Sequence, residues 1–284
     1  MVLKYPIKVR SMPEIAMPSD PTSEPYVLKE MSDHVLWLTL NRPETRNPLS
    51  LAMIAALKSA LDEANEAPEV RVIVLAARGP VFSAGHDLRE MAMDRPPKPR
   101  GVAQREILTR CAEMMMTIVH GARPVIACVE GTATAGGCQL VSTCDLAVAS
   151  DTARFCTPGV NIGGFCTTPL VGIGRKVQRK HAMELALTGD MFSAEDAFRF
   201  GLVNKVVSSE TIRDETEALA QKIASKSSIA IKLGKKAFYQ QIDMPLEEAY
   251  AFALEKMIEV GSTSDAAEGT RAFFEKRTPR WTDI

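Results

Sequence analysis

Two short stretches carry the residue types best suited to chemistry. They are Phe82-Ser83-Ala84-Gly85-His86-Asp87-Leu88 and Thr134-Ala135-Gly136-Gly137-Cys138-Gln139. Each follows an apolar run that reads as a buried strand, VRVIVLAA (70–77) and PVIACVEG (124–131). Their small residues leave backbone N–H groups open to approach. The second stretch is expected to open a helix, whose first N–H groups lack intrahelical partners and sit at the positive end of its dipole. Such a place suits an anion, or a carbonyl oxygen that is gaining negative charge. A Gly-Gly step after a strand also serves as a plain tight turn. The recurrence of the pattern after two successive strands is what points to a site.

Other chemistries lack their signatures. There is no G-x-G-x-x-G after the first strand, no G-x-x-x-x-G-K-[ST] and no G-x-S-x-G. The four histidines, His34, His86, His120 and His181, are scattered, with His34 expected in a turn and His181 on a helix surface. The six cysteines, Cys111, Cys128, Cys138, Cys144, Cys156 and Cys166, form no C-x-x-C and have no histidine at zinc-finger spacing. They are expected to be reduced, buried core thiols. No metal site and no resident cofactor is expected.

The elements that must position these stretches are legible in outline. YVLKEM and HVLWLTLN read as a hairpin across Ser32-Asp33. Ser50 looks like the cap of a helix over LAMIAALKSALDEANEA, ended by Pro68. A Pro-rich loop (94–101) precedes a helix running to about His120, and DLAVAS (145–150) reads as a third buried strand. The C-terminal third is patterned as helices over 178–188, 193–200, 208–226, 229–240, 245–260 and 264–276. Strand–small loop–helix units with a helical tail imply an α/β architecture. Three parts are expected: a loosely ordered arm at 1–25, a core at 26–205 and a helical region at 206–284.

Composition narrows the class. The chain has 284 residues, 46% of them hydrophobic and 24% charged, as in ordinary globular proteins. Its net charge of −1 argues against nucleic acid or an anionic membrane surface as a partner. No apolar run approaches the roughly 18 residues of a membrane span. The N-terminal stretch lacks the apolar segment of a secretory signal. A cytoplasmic location is expected, with the mitochondrial matrix as the alternative.

NRPETRNPLS, VIVLAARGPVFSAGHDLREM, ARPVIACVEGTATAGGCQLVSTCDLAVAS and LALTGDMFSAEDAFRFGLVNKVV together resemble the crotonase, or enoyl-CoA hydratase/isomerase, superfamily. The likeness covers about residues 26–278. RFCTPGVNIGGFCTTP and AFFEKRTPRW resemble its branch of enoyl-CoA hydratase domain-containing proteins. The resemblance implies a spiral of β-β-α turns, a helical C-terminal trimerisation region and a homotrimer or hexamer. It implies an acyl-CoA ligand, with coenzyme A as part of the substrate. By motif position, the backbone N–H groups of His86 and Gly136 would form the oxyanion hole for the thioester carbonyl. CoA contacts would come from main chain around Ala84, Asp87 and Leu88 and from a basic side chain near Arg46. The KLGKKAF segment (232–238) is a further phosphate-contact candidate, though a solvated helix face is the reading preferred for it.

The chain departs from the hydratases where they would carry two glutamates. Those positions hold Gln139 and Gly159. A carboxamide does not exchange protons near neutral pH, and glycine has no side chain. Loss of a positioned acid or base costs about 10²–10⁴-fold, so ordinary hydration is expected to be weak or absent. Restoring both glutamates together is expected to create it. Glu106 and Glu113 are candidate substitutes, and Cys166 and Thr167 candidate pocket residues. For Gln139, orientation of a water or a carbonyl stands beside a helix residue whose amide satisfies nearby backbone. Three readings compete: an acyl-CoA enzyme such as a decarboxylase, which forms its enolate without a base; a CoA-binding module without turnover; and a hydratase with a relocated acid–base group.

Overall fold

The computed structural model describes residues 24–92 and 101–283. Most of the expected N-terminal arm (1–25) and of the Pro-rich loop (94–101) therefore lies outside the described residues. Strands β1 (Val27–Ser32) and β2 (Val35–Leu40) pair antiparallel. Their turn is Asp33-His34, both at positive φ (39° and 72°), the twist that a two-residue hairpin needs. Ser50 accepts from Met53 N and caps α1 (Leu51–Glu66).

Three turns of a spiral follow. Strand β3 (Val72–Ala77) leads to β4 (Val81–Ser83), then α2 (Leu88–Met91) and α3 (Val102–His120). Next come β5 (Val125–Val129), β6 (Thr132–Thr134) and α4 (Gly136–Thr143). The third turn holds β7 (Leu146–Ser150) and β8 (Arg154–Cys156), followed by α5 (Pro169–Lys176), α6 (Arg179–Thr188), β9 (Phe192–Ser193), α7 (Ala194–Phe200) and β10 (Lys205–Val207). One strand of each turn enters a six-stranded sheet of order β1-β2-β3-β5-β7-β10, parallel except for β1. The other enters a second sheet of order β4-β6-β8-β9, parallel except for β9. This is the crotonase-type α/β plan. The strands of the second sheet are two or three residues long, too short to show a period, and the sequence presents them as loop.

The large sheet is covered on both faces, which explains its uninterrupted apolar strands. In β3, Ile73 and Leu75 join Leu38, Leu57, Leu61, Ile107 and Phe82 in one core. Val72, Val74 and Ala76 join Trp37, Ile126 and Cys128 in another. The second core is closed by Ile212, Ala220 and Ala224 of α8 (Ile212–Ala224). The boundary expected at residue 205 falls inside β10, and α8 packs on the main sheet. Helices α9 (Ser228–Gln241), α10 (Leu246–Gly261) and α11 (Ser264–Glu275) complete the chain. Tyr250, Met257, Phe273 and Phe274 are more than 70% exposed, an apolar surface that this single chain leaves open.

All six cysteines are free and buried. His181 is only partly at the surface: its ring stacks on Phe200, with centroids 3.9 Å apart. The KLGKKAF helix face is not simply solvated. Lys235 is buried, and its Nζ donates to Ile118 O (2.9 Å), Arg123 O (2.8 Å) and Asp145 Oδ2 (2.7 Å). Tyr239 donates to Asp145 Oδ1 (2.9 Å). All three ammonium donors are used inside the fold, so Lys235 anchors α9 to the core and has none left for a phosphate. Lys235→Met is expected to lower unfolding stability by about 3 kcal/mol, because the half-buried Asp145 loses its cation. Urea titration measures this, and a loss under about 1 kcal/mol would show the pair to be dispensable.

Candidate active site

The site is built from loop 41–49 outward. After the 3-10 turn Pro43–Thr45, Arg46 and Asn47 both take left-handed backbone (φ 67° and 48°). Asn tolerates this conformation better than most residues. Its buried side chain accepts from Arg42 N (2.7 Å) and donates to Arg78 O (2.9 Å) and Val81 O (2.8 Å). Asn47 O accepts from Ser83 Oγ (2.8 Å), which in turn accepts from Gly85 N (3.2 Å). Asn47 and Ser83 thus fix the loop that follows β4. Neither was singled out from the sequence, although an Asn between Arg46 and Pro48 is a turn signal.

The expected CoA-contact residues lie along one rim. Ala84 N donates to the carbonyl of the exposed Arg46 (2.9 Å). The Asp87 carboxylate accepts from Arg89 N (2.8 Å) and caps α2. Leu88 beside it is exposed. Leu49 N donates to Gly85 O (2.8 Å) and Asp87 N to Leu49 O (3.4 Å), a parallel bridge between Leu49 and His86. Such a bridge uses the Gly85 carbonyl and the Asp87 N–H, and the His86 N–H, trans to that carbonyl, points away from Leu49.

The second loop is pressed against the first. Thr134 Oγ1 donates to Ala84 O (2.9 Å), and Ala135 N donates to Cys156 O (2.9 Å). Gly85 has φ +83°, and a Cβ there would stand 2.8 Å from Gly136 N. A Cβ at Gly137 would collide with the Ser83 carbonyl. Ala135, between the two anchors, is held at φ 47°, ψ −111°, a conformation that L-residues rarely adopt. Gly136 is the first residue of α4. Among the described residues, neither His86 N nor Gly136 N donates a hydrogen bond.

Each of the two segments also carries a polar side chain, His86 and Gln139. The His86 ring lies over Gly136, with Cε1 3.3 Å from where a Cβ would project. Its Nε2 is buried without a partner. Burial lowers its pKa to about 4, so the ring is neutral near pH 7. Gln139 is 7% exposed, and its Oε1 is also buried without a partner. That carbonyl oxygen bonds no backbone group. The backbone is served instead by Ser142 and Thr143, whose hydroxyls donate to Gln139 O.

The remaining candidates lie in segment 158–168 and on α3. Gly159 sits in the 3-10 turn Pro158–Ile162, and segment 163–168 folds onto it. Gly164 N donates to Gly159 O (2.9 Å). A Cβ at Gly159 would stand 3.0 Å from both N and Sγ of Cys166. The Cys166 thiol is buried, and burial raises its pKa. Thr167 is exposed, and its hydroxyl donates to Phe165 O (3.3 Å). Glu113 lines a groove of about 1000 Å³ along α3, with Val102, Leu108 and Met116, and none of residues 84–88 or 134–139 lines it. Glu106 is half-buried on the same helix. Among the described residues no three His, Cys, Asp or Glu side chains converge as a metal cage.

Two outcomes follow for these residues. Gly159→Glu is expected to cost about 1–3 kcal/mol, because segment 163–168 must move. A thermal melt matching wild type would show that the segment yields freely, and paired restoration of the glutamates would regain its simplicity. For His86 the folded pKa lies below its ordinary value of 6.5. Its contribution to stability is therefore intact above pH 6.5 and is lost as pH falls toward 4. Between pH 7 and 4.5, wild type should lose about 2 kcal/mol more than His86→Gln does. Equal losses in the two proteins would mean the ring is not held neutral by burial.

Known proteins resemble this chain over nearly its whole length. The family model described as enoyl-CoA hydratase/isomerase matches residues 30–284. Enoyl-CoA hydratase domain-containing protein 3, mitochondrial, from Rattus norvegicus is 43% identical over 274 residues, 95% of this chain and 89% of that protein. The Homo sapiens protein of the same name is 42% identical over 249 residues, 88% of this chain and 81% of that one. A crystal structure of enoyl-CoA hydratase from Mycobacterium smegmatis superposes with TM-score 0.86 at 46% identity, covering 91% of this chain and 99% of that one. That of the human domain-containing protein 3 gives 0.86 at 41%, covering 90% and 100%. With matching architecture and motifs over nine-tenths of its length, the chain belongs to the enoyl-CoA hydratase/isomerase family.

Proposed function

We propose that this protein binds an acyl-CoA thioester with the carbonyl oxygen between the N–H groups of His86 and Gly136, and polarises it without hydrating the acyl chain. The supporting observation is a pair of unpaired amides on two loops in backbone contact. One such donor contributes about 2.7–4 kcal/mol to an oxyanion, and more in a site that excludes water. Arg46, Ala84, Asp87 and Leu88 would form the rim for the CoA portion. The ligand brings its own coenzyme A, and no other cofactor is invoked.

Proton transfer is what the site lacks. Gln139 offers a carboxamide, Gly159 is covered by Cys166, and the thiol is held protonated by burial. A hydratase needs an acid and a base placed at the carbon to be hydrated. Assembly as a trimer or hexamer would cover the apolar faces of α10 and α11. The mitochondrial names of the relatives favour the organellar alternative over the cytoplasmic expectation, which gains no support from them.

The experiment offers the purified protein crotonyl-CoA, a 3-enoyl-CoA and methylmalonyl-CoA, with binding and product formation followed in parallel. Binding of acyl-CoA is expected, with crotonyl-CoA hydration at least about 10²-fold below that of a hydratase bearing both glutamates. Fast hydration would overturn the reading of Gln139 and Gly159. Release of carbon dioxide from methylmalonyl-CoA would assign the polarised carbonyl to decarboxylation. Failure to bind any CoA species would remove the proposal altogether.

A further inference from the structure

The N–H of Gly136 belongs to the planar peptide unit that begins at Ala135, so the ψ angle of Ala135 sets where it points. That angle is −111°, with φ at 47°. Alanine reaches this region at a steric cost, whereas glycine enters it freely. Main-chain bonds hold both ends of the residue. Ala135 N donates to Cys156 O (2.9 Å), and Gln139 N donates to Ala135 O (3.0 Å) in the first turn of α4. Neither bond ties the segment to the loop that carries His86. The Thr134 side chain does, because its Oγ1 donates to Ala84 O (2.9 Å), two residues before His86. The Ala135 methyl faces the same junction, 3.0 Å from where a Cβ on Gly85 would stand.

A strained residue moves when its restraint is removed. Without the Thr134 bond, Ala135 would relax toward negative φ, and the peptide plane carrying the Gly136 N–H would turn with it. Glycine at position 135 has no such strain to release, so its peptide plane would keep its direction with or without the bond. We propose that Thr134 is a positioning residue: by bonding Ala84 O across the two loops, its hydroxyl holds Ala135 in its costly conformation and aims the Gly136 N–H at the thioester oxygen. This rests on the proposed seat of that oxygen between the His86 and Gly136 amides. A hydroxyl that merely joined two loops would add stability and leave a bound carbonyl unaffected.

Infrared spectroscopy of bound butyryl-CoA with an isotope-labelled thioester carbonyl reads the aim. Wild type is expected to lower the carbonyl frequency. Thr134→Val should lose about half of that shift or more, since one of two donors turns away. Thr134→Ser keeps the hydroxyl and should keep most of the shift. Thr134→Val combined with Ala135→Gly should regain it, which loss of a plain structural tie would not allow. Thr134→Ala stands in if Thr134→Val does not fold. Without ligand, Ala135→Gly alone should melt about 2–4 °C above wild type as the strain is released. A Thr134→Val shift equal to that of wild type overturns the proposal. So does a Thr134→Ser shift as small as that of Thr134→Val, a double variant no better than Thr134→Val, or an Ala135→Gly protein that melts below wild type. Failure of the carbonyl placement shows separately, in wild type: butyryl-CoA would not bind, or its carbonyl band would not move, and the role of Thr134 would go with the seat.

Discussion

The contact on which the rest depends is backbone against backbone, where Gly85 meets Gly136. Strands β4 and β6 are adjacent and parallel, so the segments leaving their ends emerge side by side, about 4.8 Å apart. A side chain between them would push the loops apart. The run of small residues is a response to this. Gly131 is crowded by the Pro80 carbonyl, Gly137 by that of Ser83, and Gly85 by the Gly136 amide. Close approach alone does not aim an N–H. The aim comes from Ala135, kept in its unfavourable conformation by Ala135 N on Cys156 O and by the tie from Thr134 to Ala84. Three strands of the second sheet thus share the cost of one strained residue.

That arrangement requires a rigid foundation, and the chain supplies it in two layers. The six-stranded sheet is sealed by apolar packing on both faces, so β3 and β5 deliver their loops from fixed positions. The loops are then tied by polar bonds that a hydrophobic core cannot provide. Asn47 bonds at once to the strand-end carbonyls of Arg78 and Val81, and through Ser83 to the Gly85 amide. The Leu49 bridge consumes the carbonyl of Gly85 and the amide of Asp87. Among the described residues, the N–H groups of Ala84, Gly85 and Asp87 all have acceptors, and that of His86 has none.

Much of this was legible in the sequence, for physical reasons that differ by element. Long periodic elements such as α1, α3 and β3 show themselves because burial imposes a pattern over many residues. The helical C-terminal third was equally readable. The second sheet was not, since strands such as Val81–Ser83 and Thr132–Thr134 are defined by partners far along the chain. Lys235 misled for a related reason. A lysine in KLGKKAF looks solvated until Asp145, ninety positions away in sequence, is seen beside it. The paired loops stood out because their small residues recur after two successive strands, and in the structure Gly85 lies against Gly136. The segment Gly163–Thr168 left no such trace, and only the structure shows it occupying the space beside Gly159.

That segment bears on what stands at the two positions where hydratases carry glutamates. The His86 imidazole has its pKa lowered to about 4, position 139 holds a carboxamide, and the thiol beside Gly159 has its pKa raised by burial. None is charged near pH 7. On the proposed reading, an ionised carboxylate in a poorly hydrated site would compete with a thioester oxygen for the same two donors, and like charge would oppose an enolate held there. A hydratase accepts that cost because it must move a proton. Where Cys166 packs against Gly159, neither the group nor the room for it is present. On the proposed reading, the amide pair would then act on the carbonyl alone. Chemistry proposed for this chain has to begin from a polarised thioester and must find its proton, if it needs one, outside the family's glutamate positions.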